Sequence, residues 1–176
     1  MGAYMLVADY ILQRLYDEGI DTVMTLYGGA ISELLDAFPR QNNIKYVTMM
    51  SEQSCAFAAE GYAKVKGLGC AIATSGPGGQ NLITGIANCY FDSVACIFIT
   101  GQVNTKFIKQ SDDLRQLGFQ ECDIVSMVKP ITKWAVQVLH AQSIEGILNH
   151  ALEVCQYGRK GPVLLDIPVD VQRAKV

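Results

Sequence analysis

Residues 44–66 read IKYVTMMSEQSCAFAAEGYAKVK, and the fold follows from how this stretch changes character part-way along. Its opening residues, rich in β-branched and aromatic side chains, predict a strand over 44–50. From residue 51 small and apolar residues take over, with Cys55, Ala56, Phe57, Ala58 and Ala59 in succession. They predict a helix running to about Lys66 and broken by Gly67 and Gly69. A helix that is apolar almost all round belongs in an interior, packed closely on its neighbours. Glu52 therefore stands at a strand-to-helix junction, and in open α/β sheets such junctions at the carboxyl ends of strands are where ligands collect. Position alone leaves two readings of this carboxylate. It either favours the helix dipole, by about 0.3 to 1 kcal/mol, or it is a functional group that needs a partner.

The same alternation extends in both directions. Upstream, residues 4–18 carry a helical stripe of Met5, Ala8, Ile11, Leu12 and Leu15, with Gly19 as the stop. A short strand over 23–27, a tight turn at Gly28 and Gly29, and a helix over 31–38 closed by Pro39 follow. Downstream come a strand over 70–74, the loop SGPGGQN at 75–81, an amphipathic stretch over 82–90 and a strand over 95–100. Residues 101–118 are polar and charged, long for a structureless connection, and are expected to lie near a site. A short helix over 123–128 is ended by Pro130, and residues 131–138 alternate like an exposed edge strand. A helix over 143–157 takes Ser143 as its cap, and Gly161 and Pro162 introduce a last strand over 163–167. Helix and strand alternate about six times, which predicts an α/β fold: a three-layer sandwich with a mainly parallel sheet of about six strands and helices on both faces. The domain is expected to span residues 1–170, with residues 171–176 either beginning a linker or marking a boundary of the chain.

The 176 residues are enough for one domain with an ample core. A chain that is 50% hydrophobic and only 18% charged suits a heavily buried sheet or a surface that is partly an interface. A net charge of −3 and the lack of any Lys/Arg run exclude an electrostatic footprint for nucleic acid or an anionic membrane, and neither partner is expected. The six cysteines are scattered singly among apolar neighbours, with no Cys-x-x-Cys pair, and read as small core residues in a reducing cytosol. His140 and His150 lack metal-ligand spacing, so no metal site is expected here. No stretch reaches the length of a membrane span and no secretory leader is visible, which predicts a soluble, cytoplasmic protein.

The most conspicuous motif is SGPGGQN at 75–81, where three glycines and a proline between strand and helix bring backbone N–H groups close to a helix N-terminus. Asn81 stands where the dinucleotide pattern needs glycine, and no Lys-Ser or Lys-Thr follows as in a P-loop. On pattern alone a tight turn whose glycines allow close helix-to-strand packing is the better account. Gly28 and Gly29 by themselves read as a turn too. Asp9, Asp17, Glu18, Asp36 and Glu153 fall on solvent-facing helix positions, and Trp134 and Tyr46 read as core or rim. No Ser-His-Asp set or Cys-His pair supports nucleophilic hydrolysis.

Several segments taken together nevertheless resemble one family. They are GGA at 28–30, EQ at 52–53 with AEGYA at 59–63, TSGPG at 74–78 with Asn81, ITGQV at 99–103, FQE at 119–121, KPITK at 129–133 and GPVLLDIP at 161–168. In this order, and spanning nearly the whole chain, they resemble the N-terminal, pyrimidine-binding domain of the thiamine-diphosphate enzymes, in the acetolactate synthase and pyruvate oxidase branch. The resemblance implies that Glu52 hydrogen-bonds N1′ of the aminopyrimidine ring and favours its 4′-imino tautomer. The cofactor's own nitrogen then removes the proton at C2, and the ylid attacks a 2-oxo acid. It also implies that Tyr27, Gly28, Gly29, Thr74, Pro77 and Asn81 line the pyrimidine pocket with Glu52, and that Gln120 reaches the reacting end from a loop as a second catalytic residue.

Two departures from the family stand out. Thr25, Leu26 and Tyr27 precede Gly28, where the family's loop reads Gly-Tyr-Pro-Gly-Gly. Residues 104–118 are longer than the corresponding stretch, which reshapes the approach to Gln120 and opens the site to a substrate other than pyruvate. The chain also contains no Gly-Asp pair, so the Gly-Asp-Gly motif that holds the diphosphate and Mg²⁺ is expected on a separate domain. FAD is left open as a further cofactor of the full-length enzyme. The resemblance thus implies the first of three domains, inactive alone and completed by the diphosphate-binding domain of a partner subunit in a homodimer or higher homo-oligomer. The rival reading is a non-catalytic small-molecule-binding or regulatory α/β domain, in which Glu52 only favours its helix dipole.

Overall fold

The strands form where β-branched and apolar residues are densest, and a computed structural model describes them within residues 4–111 and 113–176. They are β1 (Thr22–Thr25), β2 (Lys45–Thr48), β3 (Gly69–Ala73), β4 (Cys96–Gln102), β5 (Trp134–Gln137) and β6 (Val163–Pro168). Among the described residues these make one sheet in the order β2-β1-β3-β4-β6-β5, and every adjacent pair runs parallel. The helices between them are α1 (Val7–Asp17), α2 (Ser32–Ala37), α3 (Glu52–Lys66), α4 (Pro77–Asn81), α5 (Ile83–Phe91), α6 (Ile124–Val128), α7 (Ile144–Gln156) and α8 (Val169–Gln172).

Side chains of a strand alternate between the two faces of its sheet, and β4 shows the result. Ile97 and Ile99 enter a core with Ile11, Leu12 and Leu15 of α1 and Leu148 and Leu152 of α7. Cys96 and Phe98 enter a second core with Cys55, Ala56 and Ala59 of α3 and Ile86 and Cys89 of α5. The molecule is therefore the three-layer sandwich that the alternation predicts. Both faces of the central strands are dry, as a parallel sheet requires.

Several local expectations are corrected. The loop 75–81 is loop only at its start, because Pro77, preset for a first helical turn, opens α4. Strand β4 runs past residue 100 to Gln102, carried on by the parallel pairing Gly101↔Ile167 and Gln102↔Pro168. Pro39 and Pro130 do not end helices but sit inside the 3-10 turns Phe38–Arg40 and Lys129–Ile131, in early positions that need no N–H donor. Ser143 is not a side-chain cap, since it is itself in the 3-10 turn Ala141–Ser143 and its hydroxyl donates to the His140 carbonyl at 2.7 Å. Helix α3 is buried on one side only, with Phe57 42% and Val65 83% exposed on the other. Helix α8 buries Val171 and Gln172, and Lys175 bridges to Leu6.

Candidate active site

Strand order locates the site. From β1 the chain crosses through α2, on the α1 and α7 face, to β2. From β3 it crosses through α5, on the opposite face, to β4. The segments leaving the carboxyl ends of the neighbouring strands β1 and β3 thus part to opposite faces and open a crevice, the usual ligand position in such sheets. Gly28, Gly29 and Thr74 leave these two strand ends, and Glu52 follows the end of β2.

Ser51 starts α3, its hydroxyl accepting the Ser54 N–H at 3.2 Å, which sets Glu52 as the first helical residue. Glu52 is only 9% exposed, too buried for a carboxylate that serves a helix dipole at the surface. Asn81, at the end of α4, donates its Nδ2–H to Oε2 of Glu52 at 2.9 Å. Oε1 makes no hydrogen bond within the described residues and faces Gly78, where an added Cβ would stand 3.3 Å away. One carboxylate oxygen is thus held and the other left free to act. One turn along α3, burial and then the Glu52 charge push the Cys55 thiol up to about 11, so it stays an inert core group.

Thr74 joins the two glycine loops. Its Oγ1 accepts the Ala30 N–H at 3.2 Å, and its side chain fills the space that a Cβ on Gly28 or Gly78 would need. Close packing, rather than a phosphate cradle, accounts for these glycines. Gly76 is also forced by conformation, with φ of 56°, and it lies against Gln120, whose carbonyl oxygen would be 2.7 Å from a Cβ there. Gln120 itself has φ of 61°, a left-handed conformation unusual for a residue with a side chain. Such a conformation persists when its surroundings over-determine it.

Gly29, Thr74 and Gln120 line one cavity of about 610 Å³ together with Val103, Asn104 and Phe107. Tyr27, 61% exposed and edge-on to Tyr46, lines a separate shallow cavity with Gly28 and Gly29. The structure therefore brings Glu52, Asn81 and Thr74 together, and through Thr74 and Gly76 joins them to Gln120. Pro77 starts α4 and holds Asn81 in reach rather than lining the large cavity.

The family described as "Thiamine pyrophosphate enzyme, N-terminal TPP binding domain" matches residues 5–127, more than half of the chain. The chain belongs to this family. Among curated relatives of this TPP-binding domain, the acetolactate synthase large subunit of Haemophilus influenzae is 38% identical over 93% of the chain and 28% of its own length. The chloroplastic acetolactate synthase of Arabidopsis thaliana is 40% identical over 94% of the chain and 24% of its own length. The acetolactate synthase isozyme 3 large subunit of Escherichia coli is 35% identical over 93% and 28%. The chain spans about a quarter of the length of the relatives it matches.

Two acidic residues of this TPP-binding domain escaped the motif reading although both lie in quoted motifs. Glu121 receives the backbone N–H groups of Lys109 at 2.7 Å, Leu117 at 2.7 Å and Gly118 at 3.3 Å, and so folds the long polar segment back on itself. Asp166 is wholly buried in β6. It accepts hydrogen bonds from Thr100 Oγ1 at 2.7 Å, Gln102 Nε2 at 3.0 Å and Gln137 Nε2 at 2.8 Å. Burial lifts its carboxyl to about 6 against these donors. The one available signal was a charged residue inside the apolar run VLLDIP. Among the described residues no group of His, Cys, Asp and Glu is placed to hold a metal ion, and no helix is long and apolar enough to cross a membrane.

Proposed function

We propose that this domain holds the pyrimidine half of thiamine diphosphate in an enzyme of the acetolactate synthase type, one that cleaves and forms C–C bonds of 2-oxo acids. The observation that carries the reading is the state of Glu52. It is a buried carboxylate at the sheet's crevice, with Oε2 fixed by Asn81 and Oε1 uncovered because residue 78 is glycine. An aminopyrimidine ring nitrogen is a partner that such an oxygen can hydrogen-bond and share a proton with. When bound, the cofactor supplies a carbon nucleophile for the substrate carbonyl.

The chain's own contribution is then binding and proton control. Glu52 holds a proton at the ring nitrogen, Asn81 keeps the carboxylate aimed, and Thr74 sets the spacing of the two glycine loops. Gln120 presents a carboxamide at the cavity on the same side. The Mg²⁺ and diphosphate are held by a separate domain, supplied by a partner subunit of a cytoplasmic homodimer or higher homo-oligomer. The outward apolar side chains of α3 suit such a setting, and the domain by itself is inactive. The names of its relatives and the order of its motifs support this reading.

Glu52→Gln tests it. Assembled with its diphosphate-binding domain, the variant keeps the fold and melting behaviour but slows deuterium exchange at C2 of the bound cofactor by about a hundredfold or more. Exchange at the wild-type rate would overturn the assignment.

A further inference from the structure

Gln102, at the end of β4, is buried at 1% exposure, and every polar atom of its carboxamide is engaged. Its Oε1 accepts the Val103 N–H at 2.9 Å, which fixes which way the amide faces. Its Nε2 then donates to Oδ2 of Asp166 at 3.0 Å and to the carbonyl of Cys122 at 2.8 Å. Asp166, held in turn by Thr100 and Gln137, anchors that amide to three adjacent strands at once. The second N–H reaches out of the sheet to the backbone two residues beyond Gln120.

The turn that it grips needs holding. Gln120 has a left-handed backbone, a strain of about 1 kcal/mol or more. The turn is closed by the Glu121 N–H to the Gly118 carbonyl at 3.1 Å and seated on Gly76 of the loop before α4. Gln80 adds a contact to Cys122 Sγ at 3.3 Å. Among these, only the Gln102 bond ties the turn to the interior of the sheet, since Gln80 is exposed and the half-buried Glu121 bonds the backbone of residues 109–118.

We propose that Gln102, anchored by Asp166, is a positioning residue that sets the 118–122 turn and thereby aims Gln120 into the cavity beside Gly29 and Thr74. The proposal rests on the reading of Gln120 as a group at the reacting end. Gln102 does not line that cavity, so it acts only through the backbone it holds.

The test compares Gln102→Met with Gln137→Leu, which removes another donor from Asp166 without touching the turn. Amide hydrogen exchange at Leu117, Gly118 and Glu121 quickens in Gln102→Met and stays at the wild-type rate in Gln137→Leu. In the holoenzyme with its diphosphate-binding domain, Gln102→Met lowers kcat about tenfold or more with KM for the 2-oxo acid unchanged, whereas Gln137→Leu keeps both. Should Gln102→Met fail to fold, Gln102→Asn, one methylene too short to span Asp166 and Cys122, takes its place. Unchanged exchange in the turn, an equal change in Gln137→Leu, or quickened exchange with unaltered kcat overturns the proposal. Gln120→Ala, run alongside, separates the two readings: full activity there means that the role of Gln120 has failed, and exchange then decides on Gln102 alone.

Discussion

Asp166→Asn should change how the domain's stability depends on pH, and the direction follows from burial. The carboxyl is at about 6 in the folded chain, against 3.8 for the free group, chiefly because burial disfavours its charge. Asp123 adds a smaller push in the same sense, while Gln137, Thr100 and Gln102 are neutral donors that oppose it. Below about pH 3.8 the group is protonated whether the chain is folded or not, and it contributes no difference. As the pH rises the unfolded chain ionises first, so stability present at low pH is lost as the pH passes through the folded value. The loss is about 3 kcal/mol, complete near pH 7.

The asparagine variant cannot ionise, and its amide fits if the Nδ2 group turns to Thr100, whose hydroxyl can accept. Relative to that variant, the wild type should lose about 3 kcal/mol between about pH 4 and pH 7.5, measured by urea unfolding across the range. Using the variant as reference cancels the titration of the other carboxylates to first order. A difference between the two proteins that is constant over this range, or that moves in favour of the wild type as pH rises, would refute the reasoning.

Three further substitutions test the site's scaffolding. Gly28→Ala drives a Cβ into the Thr74 side chain and should destabilise by about 1 to 3 kcal/mol. Gly29→Ala meets nothing within 4 Å and should stay within about 0.5 kcal/mol of wild type, both read from chemical denaturation. Glu121→Ala strips the acceptor from three backbone N–H groups, weakening the 104–118 segment locally by about 1 to 3 kcal/mol. Limited proteolysis should then cut in that segment faster, with the global unfolding midpoint little changed.

Much of the architecture was legible because burial on two faces writes itself into composition. The strands around 97–99 and 163–165 are continuous apolar runs, and the helices between them carry stripes or small residues, so order and class follow from period and length. The corrections occur where one residue type serves two local geometries. Ser143 can cap a helix or close a 3-10 turn, and proline suits both the residue after a helix and the first turn of one. Helix α3 misled for a different reason. Apolar residues all round it signal burial, yet the domain covers only one side, leaving Phe57 and Val65 outside.

Glu52 could be singled out from its junction, but its two possible roles could not be separated there. Its burial and the Asn81 contact, made across 29 positions of sequence, decide between them. The Asp166 and Gln102 pair was invisible for the same physical reason. A hydrogen bond spanning 64 positions leaves no period in the chain, and it exists only because β4 and β6 lie side by side in the register Thr100↔Asp166. Local periodicity and turn chemistry by themselves determined the strands and the longer helices, though not the short α4 and α8, and that they stack as an α/β sandwich. Only the tertiary structure decided which polar groups are buried, which of them meet, and which oxygen of Glu52 is left uncovered. Burial and partnering are properties of the packed sheet, not of any one stretch of it.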